Sequence, residues 1–236
     1  MWTLVTGGAI RLGAFICKAL AQQGRSIVVH YRHSQHEAEQ VAITCRSYGV
    51  QAEILAGDFS TLVGVQQFID HYLAKFPHTE TLINNVGNYL IRSASETTPE
   101  EWVDLFQTNL HAPFMLSRAL IPSLIAKQGN LINIGFCSLG NYVANTHATA
   151  YYLTKLSLWG LTQSLAKELA SDHVCVNMVS PGHLDNSVDL PSDLTKLPMH
   201  RPASCLEVCR VINFLLDPAN HYITGQNIEV AGGVGL

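Results

Sequence analysis

From one end of the chain to the other, short and almost wholly apolar runs alternate with longer stretches whose apolar residues recur at helical spacing. The runs WTLVT (2–6), SIVVHY (26–31), AEIL (52–55), TLINN (81–85), NLINIG (130–135), VCVNMVS (174–180) and QNIEV (226–230) predict strands. Nearly every position in them is apolar, as expected of strands covered on both faces. Between them the pattern predicts helices over 12–23, 34–48, 61–75, 99–126, 148–171 and 204–216. Gly24 closes the first, and Thr98-Pro99 followed by acids opens the fourth. Strict alternation of strand and helix calls for parallel strands joined by right-handed crossovers. The expected fold is therefore α/β, a doubly wound parallel sheet with helices on both faces. Ligands are expected beyond the carboxyl ends of its strands.

Composition narrows this picture only slightly. The 236 residues are 47% hydrophobic and 14% charged, enough for a sizeable core. No Pro/Gly/Ser-rich linker or charge block divides them, so residues 1–236 read as a single domain. A formal charge of −4 gives no sign of a nucleic-acid or membrane surface. Neither a secretory signal nor an apolar run of spanning length is visible, and the six cysteines are mostly scattered. That usage points to the reducing cytoplasm. Cys205 and Cys209, one helical turn apart, could in principle share a metal with His200. Structural zinc sites present tighter pairs and four clear ligands, so buried thiols are the preferred reading and no metal is expected.

The turn TGGAIRLG (6–13) follows the first strand and opens the first helix. Gly7 permits a tight turn, Gly13 a close helix–sheet contact, and the helix amino end a site for a pyrophosphate. Arg11 stands where a middle glycine is usual and points a cation at that phosphate site. At the end of the second strand, Tyr31, Arg32, His33 and Ser34 supply a fixed positive charge and a hydroxyl, with no acid. An acid there would bind a ribose 2′-hydroxyl, whereas a guanidinium suits a 2′-phosphate. NADP(H) is the expected cofactor, with Asp58 after the third strand as a polar clamp on the adenine edge.

AYYLTKLSLWG (150–160) places Tyr151 and Lys155 on one helical face. Tyr152 has Leu156 at that spacing and cannot substitute. An unperturbed tyrosine ionises near pH 10, and a nearby ammonium favours its phenolate. Bringing it to neutrality takes about 4 kcal/mol of differential stabilisation. Alone, such a spacing is also what two unrelated helix residues would give.

Taken in order, TGGAIRLG, GDF (57–59), NNVG (84–87), TNLHAPF (108–114), Tyr151/Lys155, SPG (180–182) and ITGQNIEVAGG (223–233) resemble the short-chain dehydrogenase/reductase family over essentially the whole chain. The resemblance implies a Rossmann-like sheet of seven strands, usually in a homotetramer, with a homodimer as the lesser alternative. It implies a cofactor half over about 1–135 and a catalytic and substrate half over about 136–236. Tyr151 would be the acid/base, Lys155 would hold the nicotinamide ribose, and Asn109 would anchor a water of the proton relay. Asn85 would support the sheet beside the cofactor, and the backbone after Pro181-Gly182 would face the carboxamide. Leu12, Gly87 and Leu184 would complete the cofactor's wall.

Two positions depart from the family pattern. The family's serine lies thirteen residues before the tyrosine, which gives Ser138, yet the usual place in the strand is Phe136. Asn186 or Ser187 would stand in for the threonine often found after the PG turn. TGxxxRxG with HYRHS (30–34) resembles the pteridine reductase branch, including the bacterial dihydromonapterin reductase type. Arg11 would then reach phosphate and substrate, and Tyr89 would stack on a pterin; the alternative for Tyr89 is a partly exposed loop aromatic. The turn-rich segment 183–203 reads as a substrate lid. The expected activity is NADPH-dependent reduction of a pterin-like ring. A general carbonyl or 3-oxoacyl reductase is the alternative, and a non-catalytic NADP(H)-binding sensor the remote one.

Overall fold

The computed structural model describes residues 1–140, 144–187 and 190–236. Seven strands are present: β1 (Trp2–Val5), β2 (Ser26–Tyr31), β3 (Ala52–Ala56), β4 (Thr79–Asn84), β5 (Asn130–Ile134), β6 (Cys175–Pro181) and β7 (Asn227–Val230). All pair in parallel, in the order β3-β2-β1-β4-β5-β6-β7. The expected doubly wound sheet is thus observed. Burial explains why the strands read as unbroken apolar runs. Every residue of β5 is buried, while the edge strands β3 and β7 leave several residues half or fully exposed.

The helices are α1 (Arg11–Gln22), α2 (Gln35–Ser47), α3 (Leu62–Lys75), α4 (Pro99–Phe106), α5 (Ala112–Lys127), α6 (Thr149–Leu169) and α7 (Cys205–Leu215). One core layer packs α1, α2 and α7 on the sheet through Ile16, Leu20, Val41, Val208 and Ile212. The other packs α3, α5 and α6 through Phe68, Tyr72, Leu116, Leu120 and Leu165. Local chemistry starts these helices. Thr98 and Glu101 form a capping box at α4 with Pro99 in its first turn, and Ser204 and Glu207 form another at α7.

One expectation needs correction. The single helix over 99–126 is broken by a π turn at Gln107–His111, which joins α4 to α5. An inserted residue of this kind rotates the following side chains, and π turns concentrate at functional sites. The six cysteines are buried, Cys205 and Cys209 within the α1/α7 layer. Among the described residues, no helix is long and apolar enough to cross a membrane.

Candidate active site

The strand order reverses between β1 and β4, and a cavity of about 660 Å³ opens at the carboxyl ends of these strands and of β5 and β6. Its walls include Gly7, Arg11, Leu12, Gly13, Asn85, Gly87, Tyr89, Tyr151, Pro181, Gly182 and Leu184. Sequence reasoning had placed each of these at the site, and the fold brings them together. Asn186 and Ser187 also line it. The Ser187 hydroxyl accepts the Leu184 N–H at 2.9 Å, holding the turn after Gly182. Leu184 and Ala203 form an isolated bridge that pins the two ends of the 183–203 segment, of which residues 188–189 lie outside the described residues.

The glycine-rich turn has close tolerances. Gly7 adopts a left-handed φ of +61°, and a Cβ on Gly13 would strike the Gly7 carbonyl. Arg11 is left-handed too, at φ +49°, a conformation that costs a non-glycine residue about 1–2 kcal/mol. The arginine therefore occupies a backbone state that a glycine would hold without strain. No side chain caps the amino end of α1, and its first turn carries no acid. That leaves its N–H groups and dipole available to an anion, the donor set that a pyrophosphate needs. Asn85 braces the turn from β4, its amide donating to the carbonyls of Thr6 (2.9 Å) and Gly7 (3.2 Å).

A second cavity of about 220 Å³ adjoins the first and is lined by Tyr31, Arg32, His33, Ser34 and Asp58. Here the arrangement differs from the simple expectation. Arg32 and Asp58 are ion-paired, Nε to Oδ1 at 3.0 Å, and each side chain is about half exposed. Burial pushes the Asp58 carboxyl up, but the Ser60 hydrogen bonds and the Arg32 charge outweigh it and hold the group below the usual range. One edge of the guanidinium is thus already engaged, so a phosphate must share Arg32 with a carboxylate.

Tyr151 and Lys155 sit on the first turns of α6, with the Lys155 ammonium 5.8 Å from the Tyr151 ring centre. Lys155 is 3% exposed and donates to the Ile134 carbonyl at 2.8 Å. Burial pushes its pKa down to about 8, so the ammonium is a desolvated charge close to the phenol. The π turn carries Asn109 inward, where it is fully buried. Its amide donates to the Asn88 carbonyl (2.9 Å) and the Thr154 hydroxyl (3.1 Å), and its Oδ1 accepts the Asn88 N–H (2.8 Å). Thr154 in turn donates to the Tyr151 carbonyl at 2.6 Å. Asn88 and Thr154 were not anticipated, and neither were the cavity-lining residues His147 and Val234. Thr154 lies inside the Tyr151–Lys155 spacing, the only hint the sequence offered.

Ser138 is a correction. It does not line the cavity; Phe136 and Cys137 do. The Ser138 backbone is left-handed (φ +67°), its N–H donates to Glu229 at 2.9 Å, and its hydroxyl abuts Gly235. Four residues beyond the end of β5, the chain has already turned towards β7 and the C-terminal segment. In the place of the family's serine, Phe136 meets Tyr151 edge-on at 5.6 Å, and Tyr89 meets it from another side at 4.6 Å.

Residues 1–194 match the family model for short chain dehydrogenase. The chain belongs to the short-chain dehydrogenase family. The 3-oxoacyl-(acyl-carrier-protein) reductase FabG of Staphylococcus aureus is 31% identical over 242 residues, covering 98% of this chain and 96% of that protein. Among solved structures, acetoin dehydrogenase YohF of Salmonella typhimurium is 28% identical with a TM-score of 0.89, covering 98% of this chain and 94% of that one. A blue fluorescent protein from a metagenomic library, solved in complex with NADPH, is 26% identical with a TM-score of 0.91, covering 100% and 98%. As a member of this family the chain shares its seven-stranded architecture throughout.

Proposed function

We propose that this chain is an NADP(H)-dependent reductase of small ketones, 3-oxoacyl compounds foremost. The observation that carries the reading is Tyr151 at the wall of a cavity that the uncapped glycine turn also lines, with the buried Lys155 ammonium 5.8 Å from its ring. The 3-oxoacyl reductases matched along 98% of the chain support the substrate class, and the NADPH complex of the metagenomic neighbour supports the cofactor. The pterin-like ring favoured from the sequence becomes the second reading.

The bound nicotinamide would supply the hydride that adds to the carbonyl carbon. In that step the Tyr151 phenol donates its proton to the carbonyl oxygen, so the alcohol leaves neutral and Tyr151 is left as phenolate. The Lys155 ammonium stabilises that phenolate, and solvent restores the proton. Gly7, Leu12, Gly13 and the amino end of α1 would hold the pyrophosphate, and Lys155 and Asn85 the nicotinamide ribose and ring. Pro181, Gly182 and Leu184 would hold the carboxamide. Arg32, with Tyr31, His33 and Ser34 around it, would take the 2′-phosphate, and Asp58 the adenine edge. Phe136 cannot donate a hydrogen bond, so Tyr151 polarises the oxygen without the help a serine would give.

The pterin reading keeps one specific support. Tyr89 and Phe136 ring Tyr151 with aromatic edges, and Arg11 reaches the same cavity, a setting suited to a flat, polar-edged bicycle. The test is NADPH oxidation by the purified chain with a 3-oxoacyl thioester, a small ketone and a dihydropterin. Turnover of the first two supports the reductase of ketones. Turnover of the dihydropterin alone restores the other reading, and turnover of none overturns both.

A further inference from the structure

His30, near the end of β2, is 2% exposed and joins the turns after β1 and β3. Its Nδ1 accepts the Gly7 N–H at 2.9 Å, and its Nε2 lies 3.1 Å from the Gly57 carbonyl oxygen. An amide N–H can only donate and a carbonyl can only accept, so the pair of bonds fixes the neutral ring with its hydrogen on Nε2. Burial pushes the ring's pKa down to about 4, in keeping with that neutral form. The His30 carbonyl accepts the Gly8 N–H at 2.9 Å, so backbone and side chain of one residue hold both glycines of the first turn. The ring itself is clamped. It stacks on Phe59 at 4.1 Å and 6°, and Phe68 meets its edge at 4.9 Å.

The two turns so joined are functional on the reading above. Gly7 opens the turn assigned to the pyrophosphate, and Gly57 precedes Asp58, which faces the adenosine end. Both border the smaller cavity. We propose that His30 is a positioning residue for the cofactor, a splint between the turns after β1 and β3 that sets the spacing of the phosphate and adenosine contacts. The inference rests on the NADP(H) reading and adds a residue that would act on the cofactor through its two turns. Because the splint grips the part common to both dinucleotides, its loss weakens NADPH and NADH alike. Loss of Arg32 discriminates between them.

The decisive variant is His30→Phe, which keeps a ring between Phe59 and Phe68 and removes both hydrogen bonds. His30→Gln, which retains a donor and an acceptor, is the second variant should the first fold poorly. Dissociation constants for NADPH and NADH are read by fluorescence titration, alongside melting temperature and the steady-state constants. The expected result is about tenfold weaker binding of both cofactors in His30→Phe. The KM for cofactor should rise more than kcat falls, with partial recovery in His30→Gln. Unchanged dissociation constants in either folded variant, whatever the melting temperature does, would overturn the splint and leave an ordinary core histidine. Failure of the wild-type chain to bind either dinucleotide would overturn the cofactor reading, and this inference with it.

Discussion

The turns after β1 and after β5 both depart from the family pattern, in opposite ways. After β1 the flanking glycines are kept and one side chain is exchanged. Arg11 takes a left-handed conformation, and Asn85 and His30 hold Gly7 at the start of the same turn in place. After β5 the side chain that would polarise a substrate is gone, and the chain turns away, anchoring Ser138 to Glu229 instead. The first departure adds a cation to a preserved cradle, so it touches binding. The second removes a hydrogen-bond donor from the reacting end, so it touches chemistry and substrate shape. Between them the Tyr151–Lys155 pair stands on a helix that neither departure disturbs.

The largest effect is expected where the two regions meet. Lys155→Met should lower kcat at least about a hundredfold by removing the charge that supports the phenolate. Stability should move the other way. A lysine whose folded pKa is about 8, against an ordinary 10.5, binds its proton less readily folded than unfolded. The burial penalty is therefore fully present below pH 8 and is relieved as pH rises from 8 towards 10.5. Denaturation at pH 7 should find Lys155→Met more stable by up to about 3 kcal/mol, with the gap closing towards pH 10. A gap that widens with pH would contradict the buried ammonium.

Next comes the cofactor end. Arg32→Ala should weaken NADPH about tenfold and leave NADH nearly unchanged, as titration of both cofactors would reveal. The figure is held to tenfold because Arg32 already shares its charge with Asp58. Equal losses for the two cofactors would move the 2′-phosphate contact elsewhere.

Smaller effects separate the two departures themselves. Tyr89→Ala deletes a ring packed against Tyr151 and should cost a flat bicyclic substrate several-fold in kcat/KM relative to a small ketone, since aromatic pairs contribute about 0.5–1.5 kcal/mol. An unchanged ratio would leave Tyr89 as a loop aromatic only. Arg11→Gly should relieve the left-handed strain and raise the melting temperature by about 2–4 °C, while weakening cofactor binding several-fold. If the variant melts lower, the arginine is not strained there.

The strands and their parallel direction were legible because apolar runs report burial directly and alternate with helices, and their observed ends lie within two residues of the expectation. The glycine turn and Tyr151/Lys155 were legible because their spacing is local. What escaped was non-local or shifted by one or two residues. A single inserted residue at Gln107–His111 leaves the helical period almost intact, so the break that turns Asn109 inward is invisible to pattern. Counting back from Tyr151 to Ser138 assumed a loop of ordinary length, and the two extra residues carried the serine past the site. His30 was visible as one polar residue within SIVVHY, but nothing in that run says that its ring meets the turns of two other strands.

The central claim is that Tyr151 carries the proton, and the neighbouring tyrosine supplies its control. The Tyr152 hydroxyl is buried in the α6 core, outside the cavity lining, with no hydrogen-bond partner among the described residues. The measurement is the rate of NADPH oxidation with a 3-oxoacyl thioester at saturating cofactor, for wild type, Tyr151→Phe and Tyr152→Phe, with NADPH binding checked in each. Tyr151→Phe should bind NADPH and lose about 100- to 10,000-fold in rate, while Tyr152→Phe stays within a few-fold of wild type. Two variants of equal rate, or a Tyr151→Phe enzyme that still turns over at the wild-type rate, would contradict the account.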